Sequence, residues 1–206
     1  MIVYLVRHGE SVSCAADMFQ KDEDGLSEKG KKQVESLAQE LKNLSIDSFY
    51  SSPFERAKET AEIISRSIGK PFEVWDILFE ARSPKEIMGE SFDDPDVRKI
   101  RKLIKDNYHK GNWKYSDEET FEELKSRGKE IIENFSNKPE KETVLCVSHA
   151  GIIKMIVALM VFGDLLTPEI YWSFKYHMHS DHAGITVCKY TPHHGWWVNT
   201  WNKTSS

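Results

Sequence analysis

The 206-residue chain is short of several things, and each shortage closes a route. No apolar run is long enough to cross a bilayer. The most apolar window, Ala150 to Leu166, is interrupted by Lys154, Gly163 and Asp164, so no membrane is expected among its partners. Cysteine is sparse: Cys14, Cys146 and Cys188 are an odd number without framework spacing, and the last two sit in apolar runs as small core residues. A disulfide scaffold is therefore unexpected, and a reducing, cytoplasmic setting fits best. No basic stretch precedes the first apolar run, so no secretory leader is expected and the sequons at Asn43, Asn134 and Asn202 carry no weight. Positive charge is not in excess: the net charge is -5, which argues against a nucleic-acid partner. Repeats, low-complexity tracts and linkers are also lacking, which leaves one domain over residues 1–206. What is present, 39% hydrophobic and 30% charged residues, suits a globular chain with one sizeable core.

The chain opens on an apolar run, Ile2 to Val6, of the kind buried on both faces of a parallel sheet. Residues 12–25 have no period and read as a loop. Ser27 then caps a helix over roughly 28–43, and Ile46 to Ser51 reads as a strand. Ser52-Pro53-Phe54-Glu55 has the form of a capping box with proline at the first helical position, ahead of a helix that stops at Gly69 and Pro71. Phe72 to Trp75 makes a third strand. Charge density rises from 76 to 141, a helical insertion expected to cap the sheet, with one helix from Asp96 to Tyr108 and another beginning near Ser116. A buried strand at Thr143–Val147, an apolar helix at Ile152–Phe162, a short helical turn at Thr167-Pro168, a strand at Ala183–Tyr190 and an edge strand at Trp196–Trp201 complete it. The order predicts a three-layer α/β/α sandwich with a mostly parallel central sheet.

Three strands end on polar clusters: Arg7-His8-Gly9, Ser51-Ser52-Pro53-Phe54-Glu55-Arg56 and Ser148-His149-Ala150-Gly151. Parallel strands would bring all three to one sheet edge, where open α/β sheets bind ligands. Arg7, Arg56, His8 and His149 together call for an anion, and phosphate matches arginine forks and capped helix N-termini. Neighbouring positive charge favours a neutral imidazole, which is a nucleophile toward phosphorus. A leaving alkoxide needs a proton from a carboxylic acid, and Glu80, at the mouth of the insertion, is the candidate.

These residues carry a family resemblance. Arg7-His8-Gly9-Glu10-Ser11 resembles the R-H-G-E-[ST] signature of the histidine phosphatase superfamily, the phosphoglycerate mutase-like proteins. Leu26-Ser27-Glu28-Lys29-Gly30, the stretch Ser51 to Ala61, Leu78-Phe79-Glu80 and Ser148-His149-Ala150-Gly151 resemble its further motifs in the same order. The resemblance implies a small phosphorylated substrate, His8 as phospho-accepting nucleophile, Arg7, Arg56 and His149 as phosphoryl clamps, Glu80 as acid and then base, and neither metal nor cofactor. It places Ser11 in the phosphate-binding motif. Two departures stand out. Cys14 occupies a position where the family often has a phosphate-donating asparagine, and Ala81-Arg82-Ser83-Pro84 differs from the usual sequence after the glutamate. Arg82, with Lys85, could then read a second anionic group of the substrate. A metal-independent phosphomonoesterase is the leading expectation. A phosphoglycerate mutase, returning the phosphoryl group to a bound hydroxyl, and a non-catalytic phospho-ligand binder are the alternatives.

Other features have plainer readings. His177, His179 and His182, with His193 and His194, lack a companion ligand at regular spacing, so no metal is assigned. Trp172, Trp196, Trp197 and Trp201 read as a packing cluster or subunit contact, which with the apolar edge strand admits a homodimer. Arg98 to Lys105 reads as a solvated helix face.

Overall fold

The computed structural model describes residues 1–205. Its elements are β1 (Ile2–Arg7), α1 (Val12–Ala15), α2 (Glu28–Leu41), β2 (Ser48–Ser51), α3 (Glu55–Ile68), β3 (Glu73–Val74), α4 (Pro95–Asn107), α5 (Phe121–Ser136), β4 (Thr143–Ser148), α6 (Ala150–Phe162), α7 (Pro168–His177), β5 (Ile185–Thr191) and β6 (Gly195–Lys203). One six-stranded sheet has the order β3-β2-β4-β1-β5-β6. The first four strands run parallel, and β5 and β6 are added antiparallel.

Strand alternation divides the core into two layers. Val3 and Leu5 of β1, with Val144 and Cys146 of β4, face the apolar sides of α5 and α6. Val6, Leu145 and Val147 face α2 and α3 instead, among Val34, Leu37, Ala57 and Ile64. The expected three-layer α/β/α sandwich is therefore what forms. Within residues 76–141, α5 buries Phe121, Leu124, Ile131 and Phe135 in the same cluster as the sheet. No described helix is long and apolar enough to cross a membrane.

Several local expectations are corrected. α3 begins at Glu55 after Phe54, which provides no side-chain cap, and the Ser52–Glu55 box does not form. The Ser52 hydroxyl accepts from the Phe54 N–H at 3.3 Å and meets His149 at 2.7 Å, while the Glu55 N–H that the box requires donates to the Asp22 carbonyl at 3.0 Å. α5 begins at Phe121 rather than near Ser116, because Thr120 and Glu123 make the reciprocal capping box. The 12–25 loop contains the short α1, whose N-cap is Ser11. The turn after Thr167 is a ten-residue helix, α7, held by buried Tyr171 and by Phe174 against Phe162. The tryptophans do not gather: Trp196 packs on Tyr190 and Phe135, Trp201 on Phe174, and Trp172 between Tyr108 and Tyr176.

Candidate active site

Parallel pairing of β1, β2 and β4 aligns their carboxyl ends, with Arg7 opposite Ser148 and Ser51 opposite Val147. His8, Ser52 and His149 follow directly. The His8 ring is 1% exposed and the His149 ring 0%, with centroids 5.0 Å apart. His8 Nδ1 lies 2.7 Å from the Gly9 carbonyl oxygen, which can only accept, so the ring proton is on Nδ1. Its Nε2 lone pair accepts from Arg56 Nε at 3.3 Å. Burial first, then the charges of His149, Arg56 and Arg7, holds His8 well below the ordinary histidine range. Burial, with Arg56 and Arg7, does the same to His149.

The glycines of the motifs make room for this arrangement. A Cβ on Gly30 would lie 2.0 Å from the Glu10 carbonyl oxygen, so α2 can press onto the loop after His8 only with glycine there. A Cβ on Gly9 would meet Gly30 O and Val34 Cγ2 at 2.7 Å. The Ser27 hydroxyl caps α2 through the Gly30 N–H and donates to Glu10 Oε1 at 2.9 Å, joining helix and loop.

Arg56, 2% exposed, anchors one fork through Nη1 on the Lys21 carbonyl at 2.8 Å. Arg7 donates through Nη1 to the Ser180 carbonyl and through Nη2 to His182 Nε2, 2.8 Å away. Among the described residues, three buried side-chain polar atoms lack a hydrogen-bond partner, and two of them are Arg7 Nε and His149 Nδ1. Leaving such groups unpaired costs about 1–3 kcal/mol each; an anion relieves it at Arg7 Nε, and at His149 Nδ1 in the tautomer that carries its proton there.

Glu80 reaches the same place from the segment after β3. Its carboxylate accepts from the N–H groups of Ala81 (2.8 Å), Gly151 (3.2 Å) and Ile152 (3.2 Å), at the positive end of α6. A Cβ on Gly151 would stand 2.5 Å from Glu80 Oε1, so the glycine of Ser148-His149-Ala150-Gly151 admits the carboxylate. The segment is pinned on both sides. Ser148 donates to the Leu78 carbonyl at 2.7 Å, and Arg127 of α5 donates to the Ile77 and Phe79 carbonyls at 2.8 Å. Arg127 is itself paired with Glu119 in a buried bridge of 2.6 Å.

A cavity of about 660 Å³ opens onto this floor. Arg7, Arg56, Glu80 and Gly151 line it, and the buried His8 and His149 are not among its lining residues. Phe19, Met88 and Phe92 give it an apolar wall, stitched by backbone bonds from Phe19 N–H to Glu90 O (2.9 Å) and from Phe92 N–H to Asp17 O (3.0 Å).

The structure thus brings together Arg7, His8, Arg56, Glu80 and His149. Arg82 lines the cavity as an exposed side chain whose guanidinium stacks 4.7 Å from the Phe79 ring centre. Ser11 does not line it. Its buried hydroxyl caps α1, accepting from Cys14 N–H (3.2 Å) and from Gln20 Nε2 (2.5 Å). Cys14 does line the cavity, with Gln20 Nε2 3.2 Å from its sulfur, so an amide donor stands beside the thiol. His177, His179 and His182 go separate ways: to the Ser173 carbonyl, to Asp181 and to Arg7. No three potential ligands cluster among the described residues. Sequence reasoning missed Gln20, Arg127, Lys154 and Lys175 as site residues, and considered His182 only as a metal ligand in the histidine run, whereas it lies against Arg7.

The model of the histidine phosphatase superfamily, branch 1, matches residues 3–204, and the chain belongs to this family. It is 32% identical over 166 residues to the Photorhabdus laumondii protein named probable phosphoglycerate mutase GpmB, covering 77% of this chain and 74% of that one. A shorter match, 45% over 71 residues, is to the 2,3-bisphosphoglycerate-dependent phosphoglycerate mutase of Thermoplasma acidophilum. It covers 34% of this chain and spans only 36% of that enzyme's length. The fold resembles the mycobacterial glucosyl-3-phosphoglycerate phosphatase, with a TM-score of 0.80 at 18% identity over 98% of this chain and 99% of that one. It also resembles the Entamoeba histolytica phosphoserine phosphatase, with a TM-score of 0.76 at 22% identity over 98% and 96%.

Proposed function

We propose that the protein hydrolyses a small phosphomonoester through a phosphohistidine on His8. The observation that carries this is the pair of unpartnered buried nitrogens, Arg7 Nε and His149 Nδ1, beside a neutral His8 with its lone pair on Nε2. The phosphoryl group enters from the cavity, drawing Arg56 Nε from the His8 lone pair onto a phosphoryl oxygen. His8 Nε2 attacks phosphorus as the ester P–O bond breaks, and Glu80, in its carboxylic acid form, gives its proton to the leaving oxygen. Water then gives a proton to Glu80 and attacks phosphorus. The P–N bond breaks, phosphate departs, and both groups are restored. Charge developing on the phosphoryl oxygens is met by the two guanidinium groups and His149, so no step calls on a metal or cofactor.

Relatives named as phosphoglycerate mutases favour a second reading, in which phosphohistidine returns its phosphoryl group to a bound hydroxyl. The two readings share the first half-reaction. Assaying a phosphate-ester panel for free phosphate, alongside phosphoglycerate isomerisation, separates them. We expect phosphate release that is lost in His8→Ala. Isomerisation without phosphate release would establish the mutase, and full activity in His8→Ala would refute both.

A further inference from the structure

The reaction uses none of the cavity's three lysines; Lys85 is exposed, whereas Lys154 and Lys175 are partly buried. Six of the cavity's lining residues are lysine or arginine, and three are aspartate or glutamate. Of the carboxylates, Glu80 is taken up by backbone N–H groups, Asp117 accepts from the Lys85 N–H at 2.9 Å, and Asp22 faces the charges of Arg56 and Arg82. Lys154 and Lys175 form no ion pair among the described residues.

Both are placed by the elements that build the reaction centre. Lys154 follows Gly151 by three residues on α6, so it shares a helix face with the N–H that holds Glu80. It stands about one turn away, roughly 5 Å along the axis. Lys175 follows Tyr171 by four residues on α7, and the Tyr171 hydroxyl donates to the Gly151 carbonyl at 3.0 Å. That bond fixes the Lys175 face of α7 against the first turn of α6. Lys154 Nζ donates to the Lys175 carbonyl at 2.8 Å, joining the two. Lys175 Nζ lies over the rings of Trp172, Tyr108 and Tyr176, with centroids at 4.4, 4.8 and 5.6 Å.

Aromatic faces steady a cation but do not neutralise it. Two adjacent ammonium groups, sunk in the wall and facing the same space, gain most from an anion that arrives with the ligand. The cost is visible in Lys175, which burial, with Lys154 beside it, pushes down to about 8.

We infer that Lys154 and Lys175 form a second anion subsite about one helical turn from Glu80, and that the substrate is a phosphomonoester with a carboxylate or second phosphate close to its ester oxygen. This rests on the phosphatase reading above and narrows its substrate class. Glu80 is near both subsites: its charge acts on Arg7 and Arg56 as well as on Lys154 and Lys175.

The test compares kcat/KM for 3-phosphoglycerate and for glycerol 1,3-bisphosphate with that for glycerol 3-phosphate, which lacks the second anion. The wild-type enzyme should favour at least one of the first two by about tenfold or more, as charged hydrogen bonds predict. Which one it favours separates carboxylate from phosphate. In Lys154→Met/Lys175→Met the ratio should fall to within about threefold of unity, and Lys175→Arg should retain part of it. A wild-type ratio near one, or a preference unchanged in the double variant, overturns the subsite. Should the wild type fail to turn over even p-nitrophenyl phosphate, the phosphatase reading falls. The same three ligands, compared by calorimetric affinity, then decide the subsite by the same ratios.

Discussion

His8 is held by one hydrogen bond, from Nδ1 to the carbonyl of the next residue, and by the guanidinium that meets its other nitrogen. That fixes the tautomer a nucleophile needs without lending it a carboxylate partner. Glu80 is the residue whose two jobs can be separated. In Glu80→Gln the amide cannot supply a proton to a leaving oxygen or take one from water. With p-nitrophenyl phosphate, whose leaving group needs little protonation, the first step should survive while hydrolysis of phosphohistidine slows. Stopped-flow absorbance should then show a burst approaching one equivalent of nitrophenolate, followed by turnover reduced about 10²-fold or more. A linear trace at the wild-type rate would remove Glu80 from the chemistry.

Arg127 shows what an element contributes beyond the residues it carries. α5 sends this one side chain to the Ile77 and Phe79 carbonyls and so delivers Glu80 to the head of α6. Replacing it, as in Arg127→Met, strands Glu119 in a buried position. The expected cost is about 3–5 kcal/mol in urea unfolding, with a fall in kcat that Glu119→Gln/Arg127→Met recovers only in stability. A loss under about 1 kcal/mol would mean that the segment is held by its other contacts. The strands, α2, α3 and α6 were legible because apolar periodicity is local, and the Arg7-His8-Gly9 and Ser148-His149 clusters announced themselves by ending those strands. Arg127 lies three residues after Leu124 and four before Ile131, so the spacing put it on the buried face of α5, but nothing local showed that its guanidinium reaches the Ile77 and Phe79 carbonyls. The Ser52 cap was misread because the Glu55 N–H it needed is taken by the Asp22 carbonyl, a partner from a distant loop. His182 was hidden in the same way, reaching Arg7 only because β5 pairs antiparallel with β1.

For the whole molecule, burying several neutral histidines at one sheet edge ties stability to pH. His8 and His149 are held well below their ordinary value by burial and neighbouring cations, and His182 is pushed to about 4 by burial and Arg7. Their unfolded counterparts take up protons below about pH 6.5. Their contribution is therefore fully present above that pH and is lost as the pH falls toward the folded values. Each costs about 1.4 kcal/mol per pH unit in that window. Urea unfolding at pH 7, 6 and 5 should show a steep fall that His8→Asn makes shallower, and an unchanged midpoint would show that these rings accept protons while folded.

The claim that organises the rest is a covalent bond from phosphorus to His8 Nε2. Rapid mixing with a phosphomonoester, quenching in alkali and peptide mass spectrometry test it directly, because phosphohistidine survives base and is lost in acid. The expected result is one acid-labile phosphoryl group on the peptide containing Arg7-His8-Gly9, enriched in Glu80→Gln and absent from His8→Ala. Sustained phosphate release with that peptide unmodified at every quench time, in Glu80→Gln as well as in the wild type, would contradict the account.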